Sequence, residues 1–387
     1  MSDSQQLPLT GLRILSVEQY GAGPYGTMLL ADLGAEVIKI EDPGRGGDVS
    51  RSVGPYMLGD GDSEFFQTFS LGKKSVTLDL KSSDGRAQFE ALVQTADAVA
   101  NNLRGDQPDK LGLTYAALKA INPKIVCAHL SAYGRKSERA AWPGYDYLMQ
   151  AEAGFMSMTG EPDGPPVRFG LSMVDFHTGS HLATALLAGI LGASRTGEGC
   201  DVDVCLFDTA LHQLSYPATW YLNQQHVTGR LPRGAHPSIA PSQLVRTMDG
   251  WGLLMCQTPK FWTLWCQLTE CALGEDVRFA SIPARRENLS ALSDAVDQVM
   301  MTRSTEEWLS ILGGHVPFAP VLDIGEALDS AYVASVEMTT RIDHPDVPEG
   351  LRTLNSPFRV NGERPGLSRA PKMGEQSDAL LSRKESA

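Results

Sequence analysis

Leu12-Arg13-Ile14-Leu15-Ser16-Val17, Gly21-Ala22-Gly23-Pro24-Tyr25-Gly26 and Glu36-Val37-Ile38-Lys39-Ile40-Glu41 follow one another near the start of the chain. The first and third alternate as strands do. Between them the glycines turn the chain, Pro24 suits the first position of a helix through Leu33, and Gly34 suits its end. Strand, helix, strand is a βαβ unit, which predicts a parallel sheet. Working outward, 75–80, 97–101 and 124–130 read as further strands, with helices near 85–96 and 115–121 between them. Val202-Asp203-Val204-Cys205-Leu206 adds another strand, and a helix begins near Asp208. The pattern predicts an α/β fold, a Rossmann-like open parallel sheet forming a large domain over 1–226.

Beyond that point the pattern changes. Residues 244–258 read as a hairpin around Asp249-Gly250, and 261–273 and 304–312 read as helices. A smaller α+β domain is expected over 227–330. Residues 331–387 are rich in proline and glycine and are expected to return to the large domain.

The glycines of the first turn match the spacing G-x-G-x-x-G, and Glu41 ends the next strand, as in a dinucleotide fingerprint. Two details argue against that reading. Glu18, Gln19 and Tyr20 separate the strand from the first glycine, where the fingerprint needs a tight turn. Pro24 removes an N–H from the helix terminus that would hold pyrophosphate.

The 387 residues are 42% hydrophobic and 20% charged, ordinary values for a globular protein. A net charge of −13 without a Lys/Arg stripe argues against nucleic acid as a partner. No apolar run is long enough for a membrane span. Met1 to Gln6 lacks the basic and apolar regions of a secretion signal, so a cytoplasmic location is expected. The six cysteines contain no CxxC pair, which suits reduced thiols and gives no zinc site.

One carboxylate stands out. Asp175 precedes the apolar run Gly179 to Leu191, read as a helix that Thr178 or Ser180 caps. Beside a helix N-terminus a carboxylate is expected to stay ionised. On turn chemistry alone, a capping role is the commoner one for such an aspartate. A nucleophile is the alternative.

Gly11-Leu12-Arg13-Ile14-Leu15, Ala22-Gly23-Pro24 and the run from Leu29 to Glu41 resemble the opening of the family III CoA-transferases, the CaiB/BaiF family. Further motifs fall in the same order. Gly72 to Lys81 is similar to that family's lysine-rich turn and strand. Asn101-Asn102-Leu103-Arg104 with Asp109-Lys110-Leu111-Gly112 is similar to its E-N-F-R-P-G and D-R-L-G segments. Pro143-Gly144-Tyr145-Asp146, residues 159–166, 195–199 and 370–375 complete the set. The chain departs from the pattern at Leu103, where an aromatic is usual, and at Asp42, where some members carry arginine.

The resemblance implies a ring-shaped chain with a Rossmann-like and a smaller domain, two such chains interlocking as a homodimer. It implies that Asp175 is the nucleophile, passing through an aspartyl anhydride and an aspartyl-CoA thioester. Coenzyme A and acyl-CoA are then substrates, and no tightly bound cofactor is expected. Gln19, Gly21 and Ala22 lie in the loop that lines the reacting thioester, and backbone N–H groups there suit an oxyanion. Leu78, Asp79, Leu80, Lys81, Asn102, Leu103, Arg104, Lys110, Gly144, Tyr145 and Asp146 mark the CoA track by motif position. Lys73 and Lys74 are further candidates for the CoA phosphates.

Tyr145 separates two activities. It stands 30 positions before Asp175 (175 − 145), where the family's racemases carry a histidine. Moving a proton at a carbon beside a thioester needs groups that titrate near neutrality, and tyrosine has a reference pKa of about 10. The reading therefore favours CoA transfer between carboxylic acids, with an acyl-CoA racemase or epimerase as the alternative. A non-catalytic acyl-CoA-binding protein is the third class. Arg168 and Arg135 suggest a dicarboxylic acid, with succinyl-CoA as the first donor to try.

Overall fold

The structure is a computed structural model in which residues 6–381 are described. The chain divides into two compact units. The first takes in the described residues up to Ala153, Gly170–Leu214, and the described residues from Ala331 on. The second is Gly154–Phe169 with Ser215–Ser330.

The first unit is built on six parallel strands: β1 (Arg13–Val17), β2 (Glu36–Glu41), β3 (Lys74–Thr77), β4 (Ala98–Asn101), β5 (Val126–Ser131) and β6 (Cys200–Cys205). Their spatial order is β3-β2-β1-β4-β5-β6, the doubly wound order of Rossmann-type sheets. Apolar side chains alternate to both faces, as a parallel sheet covered on both sides requires. Leu15, Ile38, Val99 and Cys127 bury one face with Phe89, Leu92 and Val93 of the helix α3 described below. Ile14, Val37, Ala98 and Val126 are buried on the other.

The helices that position the site are α1 (Ala22–Asp32), α2 (Glu64–Ser70), α3 (Ser83–Val93), α4 (Asp146–Glu152) and α5 (Met173–Thr196). The 24 residues of α5 make it about 36 Å long. Gly189 lets it lie on the sheet, since a Cβ there would come within 2.6 Å of Val126 Cγ1. Two glycines let α1 and α5 cross almost backbone to backbone. A Cβ on Gly26 would lie 2.4 Å from the Gly179 carbonyl oxygen, and one on Gly179 would lie 2.5 Å from that of Ala22.

A hairpin of β10 (Thr339–His344) and β11 (Val347–Leu354) belongs to this unit, within the proline- and glycine-rich stretch for which no strands were expected. Near the C-terminus, Gly374 donates its N–H to Ser75 Oγ and Gln376 Oε1 accepts from the Ser75 N–H, tying the chain to β3.

The second unit holds a three-stranded antiparallel sheet of β7 (Ser242–Arg246), β8 (Trp251–Met255) and β9 (Phe318–Pro320), with β8 in the middle. The hairpin around Asp249-Gly250 is present. Its core gathers Val245, Leu254, Trp262, Trp265, Phe279, Leu292, Val296, Met300 and Trp308. Trp262 and Trp265 stack at 5.3 Å.

Candidate active site

The sheet order reverses between β1 and β4, and open α/β sheets bind ligands at the carboxyl ends of the strands beside such a reversal. The two chains leaving those ends are tied together. Asn102, one residue past β4, accepts the Gln19 N–H through Oδ1 at 2.9 Å and donates Nδ2 to the Gln19 carbonyl at 2.6 Å. Gly23 permits this approach, because a Cβ there would lie 2.8 Å from Asn102 Cβ. The Asn102 amide, expected along the CoA track, is thus engaged with backbone.

Asp175 is the third residue of α5, inside its first turn, not in a loop before a helix starting at Gly179. The cap comes from elsewhere. Ser172 makes no side-chain cap. Asp146 Oδ2 accepts the N–H groups of Val174 at 2.6 Å and Asp175 at 3.0 Å. Asp146 is buried on α4, and its Oδ1 accepts from Gln150 Nε2 at 2.6 Å. Its carboxylate works on the helix terminus within the protein.

This arrangement reverses the expected ionisation of Asp175. Burial is the larger influence and the Asp146 charge the second, and together they push its pKa up to about 7. The α5 N–H groups that would hold Asp175 ionised serve Asp146. The carboxyl is half-buried, and burial and the Asp146 charge both favour its neutral form.

Gly21 meets this group: a Cβ there would come 3.4 Å from Asp175 Oδ2. Gly21 and Ala22 open α1, whose first turn has no side-chain cap. The Gly26–Gly179 crossing brings that turn to Asp175. Of the loop residues expected near the reaction, Gly21 is the one against the carboxylate, while Gln19 is anchored two residues earlier. Gly144 leaves no room for a side chain, since a Cβ would lie 2.3 Å from Ala132 Cβ. The Tyr145 ring is 62% exposed and meets that of Tyr20 edge-on at 6.2 Å. Rings continue from Tyr20 to Phe65, Phe69, Phe176 and Tyr25, each 5.0–6.0 Å from the next.

The remaining residues of the expected CoA track also lie at the carboxyl edge of the sheet. Leu78 is buried beyond β3, Asp79 Oδ1 accepts the Lys81 backbone N–H at 2.9 Å, and Lys81 is exposed. Leu80 and Leu103 pack on the sheet core. Arg104 and Lys110 share Asp106, at 3.3 and 2.6 Å, and stay about half exposed. Three other bases are placed differently from expectation. Lys73 is buried and paired with Glu18 Oε1 at 2.8 Å, so it faces no CoA phosphate. Lys74 pairs with Glu36. Arg135 is compensated by Asp203, Asp109 and Asp201 at 2.6, 3.6 and 3.9 Å, which removes it as a partner for a second substrate carboxylate.

At and beneath the 18–21 loop lie six buried charged groups whose clustering the sequence reading did not show: Glu18, Lys39, Glu41, Asp48, Arg51 and Lys73. Three are acids and three are bases. Burial opposes the charge on Glu18, but Lys73 and Lys39 outweigh it and lower its pKa. Burial likewise opposes the charge on Asp48, and Lys39 overcomes it. The signal was available: Lys39 and Glu41 sit on a strand whose two faces both had to be covered.

A six-stranded parallel sheet with Asp175 and Gly21 beside its switch point defines an α/β protein of the doubly wound class. The family model for CoA-transferase family III matches residues 9–377. The succinate–glutarate CoA-transferase of Agrobacterium fabrum is 32% identical, over 98% of this chain and 96% of that protein. The acetyl-CoA:oxalate CoA-transferase of Acetobacter aceti is 34% identical, again over 98% and 96%. The crystal structure of a CaiB/BaiF family protein from Brucella suis superposes with a TM-score of 0.84 at 31% identity, covering 98% of this chain and 99% of that one. The chain belongs to CoA-transferase family III and is an enzyme of that family.

Proposed function

We propose that this enzyme moves CoA from an acyl-CoA thioester to a free carboxylic acid, with Asp175 as the nucleophile. An Asp175 oxygen attacks the thioester carbonyl, the C–S bond breaks, and CoA thiolate leaves a mixed anhydride. The thiolate attacks the Asp175 carbonyl carbon, the donor acid departs, and an aspartyl-CoA thioester remains. The acceptor carboxylate repeats the exchange in reverse, releasing the new thioester and free Asp175. No proton is consumed. Each step exchanges one acyl bond for another, so metal or nucleotide energy is not required.

The observation that carries the reading is the Asp175 carboxylate against Gly21, at the first turn of α1. The Gly21 and Ala22 N–H groups suit the oxyanion that forms on attack. Leu78 to Lys81, Asn102 to Arg104, Lys110 and Gly144 to Asp146 mark the edge along which CoA lies, with Arg104, Lys110 and Lys81 as its charged contacts. Dicarboxylic acids are the proposed substrates, with succinyl-CoA as donor. The support is the relatives named for succinate, glutarate and oxalate. A panel of acyl-CoA donors against C2–C6 dicarboxylates and monocarboxylates tests this, and faster transfer to the monocarboxylates overturns the substrate class.

A racemase or epimerase remains the second reading, because a carboxyl titrating near 7 also suits proton transfer. Deuterium incorporation at the α-carbon from D2O, without any acceptor acid, favours it. The reading keeps the interlocked homodimer of ring-shaped chains and the cytoplasmic compartment. Helix α6 (Ser215–Gln224) has no buried residue and exposes Leu222 at 79%, as a helix covered by a second chain would.

A further inference from the structure

Tyr20 is a non-glycine residue in the left-handed region, with φ of +68°. Such a conformation persists only where its surroundings over-determine it. Here the backbone on both sides is clipped from below. The Tyr20 N–H is donated to Asp48 Oδ1 at 3.1 Å. Asp48 Oδ2 pairs with Lys39 Nζ at 2.7 Å, both side chains fully buried. The same Lys39 Nζ donates to the Glu18 carbonyl at 2.9 Å. Asn102 fixes Gln19 between them. The next residue is Gly21, which meets Asp175.

We propose that Lys39 and Asp48 are positioning residues that set the Gly21 backbone against the reacting carbonyl. Neither touches substrate. Resting on the reading of Asp175 as nucleophile, the proposal adds which buried groups hold its partner in place. Asp48 is itself fixed, since its N–H is donated to Glu41 Oε2 at 2.9 Å and Glu41 is gripped by Arg51 at 2.6 and 2.8 Å. The chain of charges therefore runs from Arg51 through Glu41, Asp48 and Lys39 to the loop. Pre-organised backbone donors act only within a narrow geometry, and a misplacement of 1 Å costs roughly 100-fold in rate.

The test compares Asp48→Asn with the paired variant Lys39→Met/Asp48→Leu. Asparagine keeps an acceptor for the Tyr20 N–H. The paired variant removes both charges together, so no buried charge loses its main partner, but it leaves the loop unheld. The paired variant is expected to stay folded, to lose at least about tenfold in kcat, and to keep its KM for acyl-CoA within a few-fold. Asp48→Asn, which keeps an acceptor for the Tyr20 N–H but takes from Lys39 its nearest charge, is expected to fall between the parent and the paired variant in kcat. A folded paired variant with parental kcat overturns the proposal, and so does an Asp48→Asn enzyme as slow as the paired one. If the paired variant does not fold, hydrogen exchange in the unaltered enzyme decides. A protected Tyr20 amide supports the clip, and exchange as fast as at exposed Asp60 and Gly61 overturns it. Asp175→Ala reports separately on the nucleophile, because the kcat ratio between the two Asp48 variants is defined whichever group attacks.

Discussion

The proposed mechanism requires Asp175 to attack as the carboxylate. Burial and the Asp146 charge raise its pKa to about 7, so on the proposed mechanism the attacking form gains population as pH rises through neutrality. The kcat/KM for acyl-CoA is therefore expected to rise with pH through about 7 and level off above it. Asp146→Asn removes the neighbouring negative charge while keeping one acceptor for the α5 N–H groups. Its pH profile is expected to shift to lower pH, and an unmoved midpoint contradicts the account. Stability carries the opposite sign. Because burial raises the native pKa above the unfolded one, the native state binds the extra proton between pH 4 and 7, and stability falls as pH rises through that window. Asp175→Asn is expected to melt at least about 2 °C higher than the parent at pH 8, with the gap closing near pH 4. Asp175 itself was legible in the sequence. Its ionisation was not, because Asp146 lies 29 positions away and only the packing of α4 against α5 brings the two carboxyls together.

At the scale of elements, β1, α1 and β2 could be read directly, because alternation, Pro24 and Gly34 all agree on one local structure. The start of α5 could not. Val174, Phe176, His177 and Thr178 are weak helix formers, and the cap that carries the helix back to Met173 is supplied by α4. The β10–β11 hairpin was not legible, because Pro345 and Pro348 interrupt the alternation that marks a strand. Pro348 is tolerated because it sits in a two-stranded ribbon without a central strand. The α1–α5 crossing gives a sharp test. Gly26→Ala would gain about 1 kcal/mol in helix propensity. It would also drive a Cβ to 2.4 Å from a backbone carbonyl, and overpacking of this kind costs about 1–3 kcal/mol. A lower melting temperature and a loss of kcat are expected together, since the crossing sets the distance from Gly21 to Asp175. A more stable, fully active variant contradicts this.

For the whole molecule, the charge of −13 works against an anionic CoA ester. On the proposed CoA track, binding would rest on the few exposed bases Lys81, Arg104 and Lys110. Arg104→Glu is expected to raise KM for acyl-CoA about tenfold with kcat within twofold, the pattern of lost uniform binding. A lowered kcat with unchanged KM would move Arg104 out of the CoA track.

The central claim is that Asp175 becomes covalently acylated. The direct measurement is to incubate the enzyme with succinyl-CoA and hydroxylamine, digest it, and locate any hydroxamate by mass spectrometry. The account predicts a hydroxamate on Asp175, none in Asp175→Ala, and loss of CoA transfer in that variant. A modification on another residue, or transfer that continues in Asp175→Ala, would contradict it.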